Sequence, residues 1–142
     1  MKHAVRTRGV YYQNPQKYCL VYLVWYYGSA AWNQVIPMKA HELLSSPETW
    51  CKESPAEDLQ GNRIQAFDPR AVKWCALGAI QKAYPYPEWE EAMDSLLRAL
   101  SVSEQGLAQM NNSDKACSIM EWNDDQQSSF AEIKATLLEV DI

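Results

Sequence analysis

The stretch that most narrows the folds open to this chain is Asp68-Pro69-Arg70-Ala71-Val72-Lys73-Trp74-Cys75-Ala76-Leu77-Gly78-Ala79-Ile80-Gln81-Lys82-Ala83. Asp68 offers an oxygen to an unpaired first-turn N–H, and Pro69 stands where its fixed φ suits a helix and its missing N–H costs nothing. Val72, Cys75, Ala76, Ala79, Ile80 and Ala83 recur at helical spacing, which leaves Arg70, Lys73, Gln81 and Lys82 off the apolar face. The spacing predicts an amphipathic helix over 69–84, ending ahead of Pro85 and Pro87. Its face is built of small residues, and Gly78 is about 1 kcal/mol worse than Ala inside a helix. A second backbone packed closely against Gly78 is therefore expected.

The architecture expected around this helix is all-α, a compact bundle-like domain of four or five short helices. Residues 39–45 read as a short first helix, and Ser46 followed by Pro47 starts another turn anchored by Trp50. Residues 52–67 hold Pro55, Gly61 and Asn62 without sustained periodicity and read as a loop. Over 87–100, Trp89, Met93, Leu96, Leu97 and Leu100 form one face, with acids at the helix start where they suit the dipole. Residues 101–109 are interrupted by Gly106. Ser113 is expected to cap a short helix ending at Trp122-Asn123-Asp124-Asp125. Ser129 and Glu132 mark the start of a last helix with Phe130, Ile133, Leu137 and Leu138 buried.

Charge divides the chain. Residues 1–37 carry Lys2, Arg6, Arg8 and Lys17 and no acid, for +4, while residues 38–142 hold nine basic and eighteen acidic residues, for −9. Six of eight tyrosines also fall before position 28. The run 18–32 can be read as a secretory signal, as a short transmembrane helix or as a strand or hairpin. A fourth reading makes residues 1–37 an over-extended start, with translation beginning at Met38; on this reading 38–142 is a single helical domain.

Cys19, Cys51, Cys75 and Cys117 show no CxxC pair, and His3 and His41 are remote from them in sequence, so no metal site or cofactor is expected. Setting aside Cys19 leaves an odd number of cysteines, which fits a reducing cytoplasm. The −9 of residues 38–142 repels phosphate and argues against nucleic acid. No Walker A, Rossmann, HExxH, G-x-S-x-G or EF-hand pattern is present.

Trp74-Cys75-Ala76-Leu77-Gly78-Ala79-Ile80 and Glu121-Trp122-Asn123-Asp124, with Pro47-Glu48-Thr49-Trp50 upstream, carry a resemblance. Residues 38–142 resemble a family of small uncharacterised proteins from bacteria and their phages, marked by W-C-x-x-G-A and W-N-D motifs. The resemblance implies a domain outline and no chemistry.

Three functions follow as expectations. The first is a cytoplasmic, non-enzymatic protein-binding or regulatory module, with Trp74, Arg70, Asn123 and Asp124 as binding candidates and another protein as partner. The second is a small cysteine- or carboxylate-dependent hydrolase or transferase using Cys75, His41 and Asp124. The third is an envelope protein anchored by residues 18–32, the only case in which a membrane is a partner. Cys75 sits on the apolar face of the predicted helix, where a buried small hydrophobe is expected and a reactive thiolate is not. Asp124 and Asp125, with Glu121, offer hard oxygen ligands, but acidic, Asn-containing helix ends are routine.

Overall fold

The structure is a computed structural model, and it describes residues 38–142; the expectations placed on residues 1–37, including the run 18–32, lie outside the described residues. In chain order it contains α1 (Ala40–Leu43), a 3-10 turn (Pro47–Thr49), β1 (Ala56–Glu57), β2 (Arg63–Ile64), β3 (Lys73–Trp74), α2 (Ala76–Ala83), α3 (Glu88–Ala99), α4 (Glu104–Gln109), α5 (Asn112–Asp124) and α6 (Phe130–Glu139). Six helices accompany a three-stranded antiparallel sheet of order β2-β1-β3. The domain is mixed α/β, which corrects the all-α expectation of four or five helices.

Two errors of local reading account for the sheet, and the added helix is α4, which runs through Gly106 because Gly106 N donates to the capping Ser103 Oγ at 3.1 Å. Residues 52–67 contain β1 and β2, paired Ala56 with Ile64 and Glu57 with Arg63. Strands of two residues are too short to display an alternating pattern, so nothing in the sequence separates them from a loop. Their turn is organised by Asp58, a buried residue whose carboxylate accepts from Gln60 N and Asn62 N, both at 2.9 Å, and from Asn62 Nδ2 at 2.8 Å. These donors, the Asn62 side chain foremost, hold the Asp58 carboxyl below its ordinary range. Gly61, at φ +81°, takes the left-handed position that the turn requires.

The second error is the start of the central helix, which lies at Ala76 and not at Pro69. Asp68 spends its oxygens on its own turn: Oδ1 accepts from Arg70 N at 2.9 Å and Nε at 3.0 Å, and Oδ2 from Arg70 Nη2 at 2.8 Å. The chain then extends. Val72 N donates to Glu57 O at 2.9 Å, and Lys73 and Trp74 pair with Glu57 and Ala56. Val72 is consequently 39% exposed and does not join the buried stripe. The capping role passes to Cys75, which is extended at φ −76°, ψ 173°, with Sγ accepting from Gly78 N at 3.2 Å.

From Cys75 to Ile80 every residue is buried, so the first half of α2 is enclosed on all sides by α1, α3, α5 and the sheet. Leu44, Ile80, Met93, Leu96, Leu97, Ile119, Ile133 and Leu137 are the large fully buried apolar side chains, each contributing about 1.5–3 kcal/mol by leaving water. The close neighbour expected at Gly78 is Pro55: a Cβ on Gly78 would stand 1.9 Å from the Pro55 carbonyl oxygen. That oxygen also accepts from Cys75 N at 3.1 Å, so the 51–55 segment lies directly on the start of α2.

The remaining helices begin where side chains supply caps. Ser129 Oγ accepts from Glu132 N at 3.3 Å at the start of α6. At α5 the cap is Asn111 and not Ser113: its Oδ1 accepts from Asp114 N at 2.9 Å, and Asp114 Oδ2 accepts from Asn111 N at 3.2 Å, so the helix begins earlier than expected. Lys115 Nζ meets Asp94 Oδ1 at 2.6 Å, tying α5 to α3 beside the apolar core.

Candidate functional site

Of the residues singled out from sequence, Trp74, Cys75, Asn123 and Asp124 converge on one place, the junction of the 3-10 turn, β3, the start of α2 and the end of α5. Trp50 and Trp74 form a parallel bridge, and Cys51 N donates to Trp74 O at 3.1 Å. A parallel ladder continued one step further would bond Ala76 N to Cys51 O. In its place stands the Asn123 side chain, fully buried, whose Nδ2 donates to Cys51 O at 3.1 Å and whose Oδ1 accepts from Ala76 N at 3.0 Å. The carboxamide substitutes for a peptide group and supplies the absent rung.

Asn123 makes further bonds. Oδ1 also accepts from Trp50 Nε1 at 2.8 Å, and Nδ2 also donates to Asp124 Oδ1 at 2.9 Å. Both donors and both lone-pair directions of the amide are thereby used. Asp124 Oδ1 accepts in addition from Glu53 N at 2.9 Å, which holds Glu53 at φ +64°, a conformation unusual outside glycine. Lys52 lies over the Trp50 ring, 5.1 Å from its centroid, and Nζ donates to Asp125 O at 2.7 Å and Ser128 O at 3.0 Å.

Cys75 is 1% exposed, and burial pushes its thiol up to about 12. The Gly78 N–H acts in the opposite direction, yet desolvation outweighs it. Cys51, 6% exposed, has its thiol pushed up to about 12 by the same cause. At neutral pH both are held protonated, which suits packing groups and leaves the nucleophilic thiolate scarce.

The three catalytic candidates are not linked by hydrogen bonds among the described residues. His41 lies on α1, where its N donates to Ile142 O at 3.0 Å and its Nδ1 stands 2.6 Å from the same oxygen. Asp124 serves the backbone of Glu53, and Cys75 serves that of Gly78. Of the binding candidates, Asn123 is enclosed, Trp74 is half-buried with Nε1 donating to Ala66 O at 3.1 Å, and Arg70 lies out on the 65–72 loop paired with Asp68. Among the described residues no group of three His, Cys, Asp or Glu is placed to hold a metal ion, and no helix is long and apolar enough to cross a membrane.

A shallow, open depression of about 360 Å³ beside the node is lined by Trp122, Asp125, Gln127, Ser128 and Glu132. Sequence reasoning passed over Cys51 and Lys52. The signal that would have found Cys51 is the dipeptide Trp-Cys, which occurs at Trp50-Cys51 and again at Trp74-Cys75, the two segments that pair.

Residues 36–140 match a family of unknown function, DUF6197, so the match takes in the whole node. The chain belongs to the DUF6197 family. No curated protein and no solved structure matches it. The chemistry open to this DUF6197 member therefore has to be read from its own side chains: a polar knot that joins backbone segments, with two protonated thiols beside it.

Proposed function

We propose that this DUF6197 chain is a non-catalytic, protein-binding module whose contact surface is the sheet-and-loop unit between positions 58 and 72. The observation that carries the reading is that this unit presents Leu59, 81% exposed, together with Phe67 and Val72, while the Cys75 thiol and the Asn123 amide are committed to backbone groups inside the fold. Three large apolar side chains left exposed within one short stretch of chain favour an interface over bare solvent. Val72 N bonds Glu57 O, which sets Val72 beside the β1–β2 turn that bears Leu59. The −9 charge of residues 38–142 favours a partner with a basic rim. We further infer a cytoplasmic setting, in keeping with Cys51 and Cys75 as free thiols.

The test is site-specific photocrosslinking in the native host with p-benzoylphenylalanine at position 67, and at position 139 on the exposed end of α6 as control. A discrete protein adduct at 67 that is absent at 139 and lost with Leu59→Asp is the expected result. Equal or absent adducts at the two positions would remove the proposed surface. Rapid, selective alkylation of Cys75 by iodoacetamide in the folded protein would replace the reading with a catalytic one.

A further inference from the structure

The two Trp-Cys dipeptides lie side by side. With Trp50 bridged to Trp74 in parallel and Cys51 N bonded to Trp74 O, Cys51 and Cys75 are the next residues in register, one on each segment. Regularly paired strands run about 4.8 Å apart; here the direct Cys51 N–Trp74 O bond holds one side of the pair and the Asn123 amide spans the other, and disulfides tolerate Cα separations of about 4.4–6.8 Å. Both side chains belong to the same buried cluster, and both segments are held together from opposite sides. Asn123 bonds Cys51 O and Ala76 N, while Pro55 O bonds Cys75 N. Neither thiol is committed to a strong partner: Cys51 Sγ has Ser54 O at 3.6 Å, and Cys75 Sγ accepts from one backbone N–H.

We propose that Cys51 and Cys75 form a reversible redox pair, closing a disulfide by exchange with small-molecule disulfides and so bracing the 51–55 segment to the start of α2. Cys51, the less enclosed of the two, attacks first as its thiolate. Its sulfur bonds to one sulfur of the reagent, the reagent S–S bond breaks, and one thiolate leaves. The Cys75 sulfur then attacks Cys51 in the mixed disulfide, forming the Cys51–Cys75 bond and expelling the second thiolate. The two protein S–H protons pass to the two leaving thiolates, so the protein pair is oxidised and the reagent is reduced to two thiols. Burial keeps the attacking thiolate scarce, which sets the exchange on a timescale of hours. Disulfides in a reducing compartment are characteristically of this transient, sensing kind.

The experiment incubates the full chain with cystamine at pH 8.5 for several hours, blocks residual thiols under denaturing conditions and maps tryptic peptides. The expected product links peptide 40–52 to peptide 74–82 with the loss of two hydrogens, reverses with dithiothreitol, and raises Tm by on the order of 10 °C through closure of the loop between the two positions. Cys75→Ser retains a capping oxygen and should fold, and in it the linkage and the Tm rise should both vanish. Recovery of Cys51 and Cys75 as blocked thiols, or linkage of either to Cys19 or Cys117, would overturn the proposal. So would a Tm rise that persists in Cys75→Ser.

Discussion

Replacing Asn123 with Ala removes, in one step, every bond that the node's carboxamide makes. Two of its partners are enclosed: the N–H of Ala76, a residue without exposed surface, and the carbonyl of Cys51. Each such group left unpaired costs about 1–3 kcal/mol. The Trp50 indole is half-buried and can turn toward water, and Asp124 retains the Glu53 N–H, so these two losses are small. The void left by the amide adds about 1 kcal/mol. The expected destabilisation is about 4 kcal/mol, a Tm loss of roughly 15–20 °C for a domain of this size. Urea denaturation followed by tryptophan fluorescence should show the midpoint fall with the slope unchanged. Asn112→Ala is the control, because Asn112 sits at the start of α5 and its side chain makes a single bond, Nδ2 to Glu90 Oε1 at 2.6 Å. It should cost about 1 kcal/mol or less. A loss for Asn123→Ala no larger than for Asn112→Ala would refute the claim that the amide serves as a ladder rung.

Helix propensity alone makes Gly78→Ala stabilising by about 1 kcal/mol; the structure reverses the sign, because the new Cβ would meet backbone at Pro55 O and displace the bond from Cys75 N. Calorimetry should therefore record a loss of about 2–3 kcal/mol, and any gain in Tm would contradict the packing described. The Asp68 carboxyl is held down to about 2, from an ordinary 3.8, first by the Arg70 side chain and then by the Arg70 N–H. A depressed folded-state value contributes stability above pH 3.8 and loses it as pH falls toward 2. Arg70→Ala should raise the Asp68 midpoint in a carboxyl-carbon NMR titration and flatten the fall in stability over that window; an unmoved midpoint would place the cause elsewhere.

What the sequence makes legible here follows the length of each element. α3 and α6 are long enough for their stripes to repeat, and Met93, Leu96 and Leu97, like Ile133 and Leu137, are buried as the spacing implies, whereas Leu138, expected with them, is 50% exposed. The sheet was illegible because its strands are two residues long: even the β1–β2 hairpin, whose partners stand close in sequence, shows no alternation, and β3 comes from beyond the 65–72 loop. The start of α2 was misplaced for a sharper reason. Asp68-Pro69 is a genuine start signal, but the same Asp oxygens satisfy an Asx turn and an arginine, and local bonding of that kind competes with a helix cap. The stripe through Val72 was then a coincidence of spacing. Cys75, a poor cap by residue type, succeeds because the other orphan donor beside it, Ala76 N–H, is met by Asn123 from α5. A cap assembled across the fold leaves no local trace.

That assembly bears on the proposed surface. Within residues 74–76 the chain passes from strand to helix. Trp74 contributes its backbone to β3, its indole to Ala66 and its carbonyl to Cys51, while the next two N–H groups go to Pro55 and Asn123. The sheet unit bearing Leu59, Phe67 and Val72 is thus bonded to α2, the 51–55 segment and the end of α5 through groups that are themselves buried. It cannot detach without leaving several of those groups unpaired, each at about 1–3 kcal/mol. An apolar surface tied at its base in this way loses little conformational entropy if a partner covers it, which is the physical advantage that the proposed docking face would draw from very short strands pinned to a helical core.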